Sequence, residues 1–288
     1  MPASPPVLRP VSRSRPGPAC RGARVAGHFG EFLQGRLGPD GPIALVTVPC
    51  PALEVRAVWH PGRMAGLWQG GRPVLAPGQV ARLARLFGIA PGRLRVSAAM
   101  PPGGGAGAST AALLAAIRCL APMALSPDTE AALCLALEGA TDPLMHPVPE
   151  ALLWAPRAAR VLGRVAPGPG FEIVGGFAGP GRRTDPADTD FADISDLVAA
   201  WRVTPDRAGR ARLATESARR CHALRGGPDP APIWALGRDL GALGLVAAHT
   251  GTALGLLFAP GEAPRQAEAA LRAAGLGRVL RFRTGGGR

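Results

Sequence analysis

Hydrophobic and polar residues alternate in two regions of the first hundred residues, and this alternation predicts β-strands. In residues 53–58 and 93–98, apolar and polar side chains alternate with a period of two, as in half-buried strands. Residues 43–48 form a short apolar run, and the whole of 24–59 is predicted to be rich in strand. Residues 79–87 instead place their apolar side chains on one face of a helix.

Helical periodicity dominates the later part of the chain. An Ala- and Leu-rich helix is predicted to end near Leu120, and a second to run from Pro127 to Glu138 with Ser126 or Asp128 as its cap. Further helices are predicted at 191–201, 206–224, 231–243 and 262–274, and further strands at 245–248, 253–258 and 279–282. Strands followed by a helix-rich half indicate an α+β protein of two layers.

A segment rich in Gly, Pro and Arg, residues 163–187, is the strongest candidate for a domain boundary. We therefore expect a disordered tail at residues 1–20 and two domains at 21–165 and 166–288. The tail lacks the apolar stretch of a secretion signal. No apolar run reaches the roughly 18–20 residues of a membrane-spanning helix, so we expect no membrane attachment.

The composition narrows the class of protein. The 288 residues include 33 basic and 20 acidic side chains, for a formal net charge of +13, and every basic residue is Arg because Lys is absent. Hydrophobic residues make up 47% of the chain, which excludes a disordered chain of low hydrophobicity. We interpret the Arg excess as codon bias. No Arg stripe or recognition motif is present, so we expect anionic small molecules and no nucleic acid as partners.

The five cysteines form no CxxC pair, and their number is odd. This usage is typical of a chain with reduced thiols and without a structural metal. We therefore expect a cytoplasmic protein.

A glycine-rich loop before the first apolar helix carries the strongest functional signal. Residues 101–110 read Pro-Pro-Gly-Gly-Gly-Ala-Gly-Ala-Ser-Thr. Glycines permit left-handed backbone, and the helix start adds unpaired N–H groups and a positive dipole end, so the loop can bind phosphate without a cationic side chain. A flexible surface loop capped by Ser109 is the alternative. A Walker loop is excluded because it requires Lys, and no suitable acidic residue completes a dinucleotide fingerprint.

The loop resembles the second motif of the GHMP kinases, the superfamily of galactokinase, homoserine kinase, mevalonate kinase and phosphomevalonate kinase. Ala106 replaces the usual Leu of that motif, and Ala108 replaces its first Ser. The resemblance implies a ribosomal-protein-S5-like N-terminal domain followed by a ferredoxin-like α/β sandwich. It also implies that ATP and Mg²⁺ are bound, with the nucleotide held by Pro101, Gly103, Gly104, Gly105, Ala106, Gly107, Ala108, Ser109 and Thr110.

Further segments, in the same order along the chain, resemble the L-threonine kinases of cobalamin biosynthesis of the propanediol-utilisation type. They are Gly30-Glu31 with Gln34-Gly35, residues 45–50, Glu138–Pro143, residues 248–255 and residues 284–287. The third of these is one residue longer than the family's Glu-Pro-Thr-Asp. The resemblance implies transfer of phosphate from ATP to the hydroxyl of L-threonine, which gives O-phospho-L-threonine.

The resemblance also assigns roles to individual residues. Ser109 and Glu138 are the expected Mg²⁺ ligands, and Asp142 is expected to accept the proton of the substrate hydroxyl or to orient that hydroxyl. The residues expected at the substrate are Glu31, as a partner for an ammonium group, His28, Gly251 and Thr252. Each has a plainer alternative, such as a solvated carboxylate for Glu138, a turn residue for Asp142 and a packed neutral imidazole for His28.

Three functions remain open at this point. The first is an L-threonine kinase, and the second is a kinase of the same fold for homoserine or another small alcohol. The third is a non-catalytic nucleotide-binding protein or a basic nucleic-acid-binding protein. The presence of Ser109, Glu138 and Asp142 favours an enzyme, and the segments 31–35 and 249–255 favour threonine by resemblance. We expect an Arg to bind the substrate carboxylate, but the sequence does not identify it.

Overall fold

The computed structural model describes residues 20–181, 185 and 187–285. Within these ranges, one mixed sheet of ten strands packs with seven α-helices, which confirms the predicted α+β class. The predicted tail up to Ala19 lies outside the described residues, as do Gly286 and Gly287 of the C-terminal motif.

Strands and helices are interspersed along the chain. The strands are β1 (Arg21–Arg36), β2 (Ile43–Pro61), β3 (Gly66–Gly70), β4 (Gly92–Ala98), β5 (Leu152–Ala155), β6 (Arg160–Arg164), β7 (Glu172–Phe177), β8 (Gly244–Ala247), β9 (Ala253–Phe258) and β10 (Gly277–Arg283). The helices are α1 (Pro77–Leu86), α2 (Ala108–Leu120), α3 (Pro127–Glu138), α4 (Ser195–Val203), α5 (Arg207–Arg225), α6 (Ala231–Asp239) and α7 (Ala267–Ala273). Across the described ranges, none of these helices combines the length and the apolar character needed to cross a bilayer.

The sheet is built from two halves that meet at one residue pair. Its order is β10-β7-β9-β8-β1-β2-β4-β3, with β5 paired to β2 and β6 paired to β5. Neighbouring strands are antiparallel, except that β3 and β4 are parallel. Strands β1 and β8 share a single register pair, Glu31 with Ala247. The backbone around Glu31 is therefore the junction of the two halves.

Strand β1 is irregular near this junction. Its register with β2 shifts on both sides of His28 and Glu31, and Gly30 has a left-handed φ of 68°. Such bulges re-aim side chains that a regular strand would send to opposite faces. As a result, residues 27–35 are all buried, including the polar side chains of His28, Glu31 and Gln34.

Helix α2 forms the centre of the core because it is apolar around almost its whole circumference. A helix of that kind is stable only when it is covered on all sides, and α2 packs on β1, β2 and α3. Arg118 of α2 donates two hydrogen bonds of 2.7 Å to the carboxylate of Glu130, which lies in the first turns of α3. This pair fixes α3, whose last residue is Glu138.

All the predicted helices and strands have counterparts in the structure, but four further strands escaped prediction. These are β3, β5, β6 and β7. Strand β7 lies inside the segment 163–187 that was expected to be a boundary, yet it is fully buried between β10 and β9. Its two adjacent glycines, Gly175 and Gly176, make it resemble a loop in sequence. The division of the chain at 165/166 remains a prediction.

Replacing Glu130 by Gln tests the coupling of α2 and α3. The substitution removes a charge-assisted pair and leaves the half-buried Arg118 without its carboxylate, so we expect a loss of about 1.5–3 kcal/mol in the free energy of unfolding. Urea denaturation measures this loss. Asp128→Asn, at an exposed carboxylate in the same helix, is the matched control and should change stability far less. Equal stability of Glu130→Gln and the native chain would contradict the structural role of the pair.

Candidate functional site

The glycine-rich loop leads into α2 without a capping side chain. Gly103, Gly105 and Gly107 have left-handed φ angles of 72°, 74° and 68°, and they alternate with residues of negative φ. Gly107 is the N-cap of α2, so no side chain occupies the first N–H groups of the helix. Alternation of this kind turns successive amide N–H groups towards a common concave surface.

The carbonyl groups of the same loop face the protein behind it. Gly104 O accepts hydrogen bonds from the amides of Thr252 and Ala253, each 3.0 Å long. Gly105 O accepts one from Gly30 N at 3.1 Å, and Ala106 O accepts one from His28 N at 3.2 Å. With its acceptors turned inward, the loop leaves donors for an anion, and it fits the phosphates of a nucleotide.

Two glycines allow the chain segments to approach this closely. A Cβ on Gly105 would lie 2.7 Å from Thr250 O, and one on Gly251 would lie 2.7 Å from Gly104 O. Both residues also have positive φ, which disfavours any side chain. The predicted substrate residues Gly251 and Thr252 therefore lie directly against the predicted phosphate loop.

Ser109 and Glu138, the predicted metal ligands, lie next to each other. The Ser109 hydroxyl in the first turn of α2 donates a hydrogen bond to Glu138 Oε1 at the end of α3. Hydroxyl and carboxylate oxygens suit Mg²⁺, which is commonly held by one or two carboxylates together with substrate phosphates and water. The described residues contain no group of three or more His, Cys, Asp or Glu side chains able to hold a metal. The donor set fits Mg²⁺ only in company with phosphate oxygens.

Asp142 is fixed through the residue before it. Thr141 N donates to Pro156 O at 2.9 Å, and the indole of the buried Trp154 donates to Thr141 O at 2.6 Å. The amide of Asp142 donates to the hydroxyl of Thr110 in α2 at 3.3 Å. The carboxylate is thereby held beside the start of α2, with about a quarter of its side chain exposed (24%).

His28 connects two carboxylates in the interior. Its Nε2 lies 3.3 Å from Asp142 Oδ2, and its Nδ1 lies 3.7 Å from Glu31 Oε1. Glu31 also accepts a hydrogen bond of 2.7 Å from the amide of His249. Glu31 is thus engaged on both oxygens and buried, whereas Asp142 is the member of this group that faces outward.

The charges of this group follow from its burial and its partners. Burial opposes the imidazolium of His28, but Asp142 and Glu31 outweigh that effect and raise its pKa to about 9. Burial raises the pKa of Glu31 to about 7, although His28 counteracts it. Burial acts in the same direction on Asp142, where the neighbouring imidazolium more than offsets it and holds the pKa below its usual value. Near neutral pH the site contains a His28⁺–Asp142⁻ pair.

His249 lies on the far side of Glu31 and carries no charge. Burial, together with Arg225 and Arg157, lowers its pKa to about 3. Its ring stacks on the Phe191 ring at a centroid distance of 4.3 Å. The guanidinium of Arg225 also lies over the Phe191 ring, 4.1 Å from its centroid. His249 therefore forms part of the wall of the site as a neutral ring.

Sequence reasoning missed the residues around His249. Arg157 lies in the turn between β5 and β6, and Asp188, Phe191 and Arg225 come from the loop before α4 and the end of α5. Arg225 Nη2 contacts Asp188 Oδ2 at 2.6 Å. No periodicity or motif marks these positions, because only the folded chain brings them together.

A cavity borders this site without containing it. It has a volume of about 530 Å³ and lies between the end of α5, the following turn and residues 247–254. His249, Gly251 and Thr252 line it, but its lining does not include the glycine loop or Asp142. We place the site by its chemical groups rather than by the cavity.

Comparisons with known proteins identify the fold. A scan against protein-family models matches none, and a comparison with curated proteins finds no relative. Solved structures do match. A mevalonate kinase from methicillin-resistant Staphylococcus aureus has 16% identity and a TM-score of 0.63, over 92% of this chain and 100% of that chain. The mevalonate kinase of L. major in complex with R-mevalonate has 14% identity and a TM-score of 0.65, over 94% and 98%.

A third similar structure is a 4-(cytidine 5'-diphospho)-2C-methyl-D-erythritol kinase, with 19% identity and a TM-score of 0.55 over 92% of this chain and 100% of that chain. The chain matches these kinases over more than nine-tenths of its length, so the α+β fold of the GHMP kinases that the glycine-loop resemblance implied is confirmed. Identities this low establish the fold alone. The substrates in these names belong to the neighbours.

The charged state of His28 predicts how stability depends on pH. A folded-state pKa of about 9, against an ordinary value of 6.5, means that the folded chain binds this proton more tightly than the unfolded chain. The resulting stabilisation is complete below pH 6.5 and is lost as the pH rises towards 9. We expect the free energy of unfolding, measured by urea denaturation, to fall over this range, and His28→Gln to flatten the fall. His60→Gln, at an exposed imidazole of β2, is the control; an unaltered slope in His28→Gln would refute the charged pair.

Proposed function

We propose that the chain is an ATP-dependent kinase of the GHMP type that phosphorylates the hydroxyl group of a small alcohol. We further propose L-threonine as that alcohol, with O-phospho-L-threonine as the product for the aminopropanol part of cobalamin. The observation that carries the proposal is the position of the His28–Asp142 pair beside the donor-lined glycine loop. A phosphate-binding surface and an acidic group for a hydroxyl are the two parts that phosphoryl transfer to an alcohol requires.

The loop and the ends of α2 and α3 supply the nucleotide side of the reaction. The amides of the loop and of the first turn of α2 bind the phosphates, except that of Gly104, which donates to Pro101 O at 3.1 Å. The helix dipole of α2 favours the negative charge of the phosphates. Ser109 and Glu138 would hold Mg²⁺. When bound, Mg²⁺ neutralises charge on the phosphate oxygens. The rest of the work is positioning, because phosphoryl transfer demands little covalent participation by the protein.

Asp142 serves the acceptor side. A carboxylate whose pKa is held below its usual range is a weak proton acceptor. We therefore assign Asp142 mainly to orienting the acceptor hydroxyl towards the γ-phosphate. The hydroxyl oxygen forms the new ester bond to phosphorus, the bond from phosphorus to the bridging oxygen breaks and ADP leaves, and the hydroxyl proton is released to water. His28 keeps Asp142 ionised and adds a positive charge in a chain that has no Lys. Glu31 acts through His28, since it is buried behind that residue.

The choice of threonine rests on the resemblance of five ordered segments to L-threonine kinases. Two of these segments are in direct contact, since Glu31 accepts a hydrogen bond from the amide of His249, and His28 lies between Glu31 and Asp142 of a third segment. A kinase for homoserine or another small alcohol is the alternative within the same fold. Such a kinase would bind the nucleotide with the same residues and would differ only in the residues that contact the acceptor.

A panel of acceptors tests the proposal. Purified protein with Mg²⁺ and ATP should form ADP and phosphorylated product with L-threonine at a higher kcat/KM than with L-serine, L-homoserine or mevalonate. Coupled ADP assays and mass spectrometry of the product measure this. A preference for homoserine or mevalonate would overturn the threonine assignment and keep the kinase. Absence of turnover with every acceptor, while a nonhydrolysable nucleotide analogue still binds, would favour a non-catalytic nucleotide-binding protein.

Glu138→Gln tests the metal role. The change keeps the size of the side chain but removes the charge beside Ser109, so we expect kcat to fall by at least about 100-fold, the scale for loss of a key electrostatic group. The apparent Mg²⁺ requirement should rise as well. Steady-state rates at several Mg²⁺ concentrations measure both effects. Glu262→Gln, at an exposed carboxylate outside the site, is the control, and near-normal activity of Glu138→Gln would exclude Glu138 as a ligand.

A further inference from the structure

Arg157 occupies a position that the proposed mechanism does not use. It lies in the turn of the β5–β6 hairpin, directly after Pro156. That hairpin also fixes Asp142, because Pro156 O and the Trp154 indole bind the two backbone groups of Thr141. The guanidinium and the carboxylate of Asp142 are thus held by the same short piece of sheet.

The hydrogen bonds of Arg157 leave one side of its guanidinium unused. Nη2 donates to the carbonyl oxygens of Asp185 and Asp188, at 2.8 and 3.3 Å. Nη1 is buried and has no hydrogen-bond partner among the described residues. The nearby carboxylate of Asp188 is already bound by Arg225 at 2.6 Å. Within the described ranges, Arg157 therefore makes no ion pair within 4 Å.

The surroundings of Arg157 favour an anion from outside the chain. A buried guanidinium N–H without an acceptor is costly, and a planar guanidinium matches a carboxylate well. Arg157 directly follows Pro156 and Asp142 directly follows Thr141, and Thr141 N donates a hydrogen bond of 2.9 Å to Pro156 O, so Arg157 and Asp142 are neighbours across that bond. His249 is neutral and its Nε2 is also buried without a partner, so it offers a second polar contact without competing charge.

We propose that Arg157, through its unpartnered Nη1, binds the carboxylate group of the acceptor while Asp142 receives the acceptor's hydroxyl. This inference rests on the proposed kinase function and narrows its substrate class to hydroxy compounds that carry a carboxylate. Arg157 is then a specificity-determining residue. The experiment distinguishes this role from two others, in which Arg157 binds a phosphate oxygen of the nucleotide or only fixes the chain at Asp185 and Asp188.

Acceptors with and without the carboxylate separate these roles. The native chain, Arg157→Gln and Arg157→Lys are compared with L-threonine and with (R)-1-amino-2-propanol, which has the same hydroxyl and amine but no carboxylate. Arg157→Gln should lower kcat/KM for L-threonine by at least about 10-fold, as expected for loss of a charge-assisted hydrogen bond. Its kcat/KM for the carboxylate-free acceptor and its KM for ATP should change by less than about 2-fold. Arg157→Lys should recover part of the loss.

Arg160→Gln is the matched control, since Arg160 is an exposed guanidinium on the same hairpin; it should behave as the native chain with both acceptors. Equal losses of Arg157→Gln with both acceptors, or a raised KM for ATP, would overturn the proposal in favour of phosphate binding or of a purely structural contact. Unchanged kinetics with L-threonine would overturn it as well.

A binding experiment keeps this inference separate from the kinase proposal. Calorimetry with the same two acceptors, in the presence of a nonhydrolysable ATP analogue, requires no turnover. Tighter binding of L-threonine than of (R)-1-amino-2-propanol, lost in Arg157→Gln, supports the carboxylate site even if no acceptor is phosphorylated. Equal binding of the two compounds by the native chain overturns it, whether or not the chain is a kinase.

Discussion

The site depends on the hydrogen bonds that hold the glycine loop against β1 and the start of β9. Three successive loop carbonyls, from Gly104 to Ala106, are bound by amides from these two neighbours. The approach is so close that neither Gly105 nor Gly251 has room for a side chain. Because the carbonyls are satisfied from behind, the amides at the start of α2 face the opening. The same contacts bring His28 and residues 248–253 to the loop, so phosphate binding and acceptor binding share one backbone framework.

Because the chain has no Lys, His and Arg provide the positive charge around the site. A bulge in β1 aims His28 at two carboxylates, and their charge keeps the imidazole protonated in a buried position. Burial, reinforced by Arg225 and Arg157, leaves His249 uncharged. The result is one compact cation next to Asp142 and planar guanidinium groups farther out. These two kinds of cation suit different tasks, since imidazolium can keep a carboxylate ionised in a small space and guanidinium can recognise a planar anion.

Local patterns predicted the parts of the structure that local forces determine. Helix α3 has the bounds expected from its sequence, with Ser126 as the cap, because capping and periodicity act within a few residues. The helix α2 after the glycine loop was predicted from the same kind of local pattern. The pairing of His28 with Asp142 was not, although both residues were singled out, because a bulge and a hairpin distant in sequence create it. Arg157 was missed because the strands that flank it, β5 and β6, have only 4 and 5 residues. Strands this short show too little alternation to predict a hairpin.

The hairpin that binds Thr141 fixes the chain just after α3, in the segment that is one residue longer than the motif it resembles. Gly139 ends the helix in a left-handed turn, and Ala140 alone separates it from Thr141. Both the amide and the carbonyl of Thr141 are hydrogen-bonded to the hairpin. The position of Asp142 is therefore set by the hairpin and not by the length of the loop after α3. Spacing counted forward from the helix is then a poor guide to homologous positions. Alignment of such chains is better anchored backward, from the tryptophan.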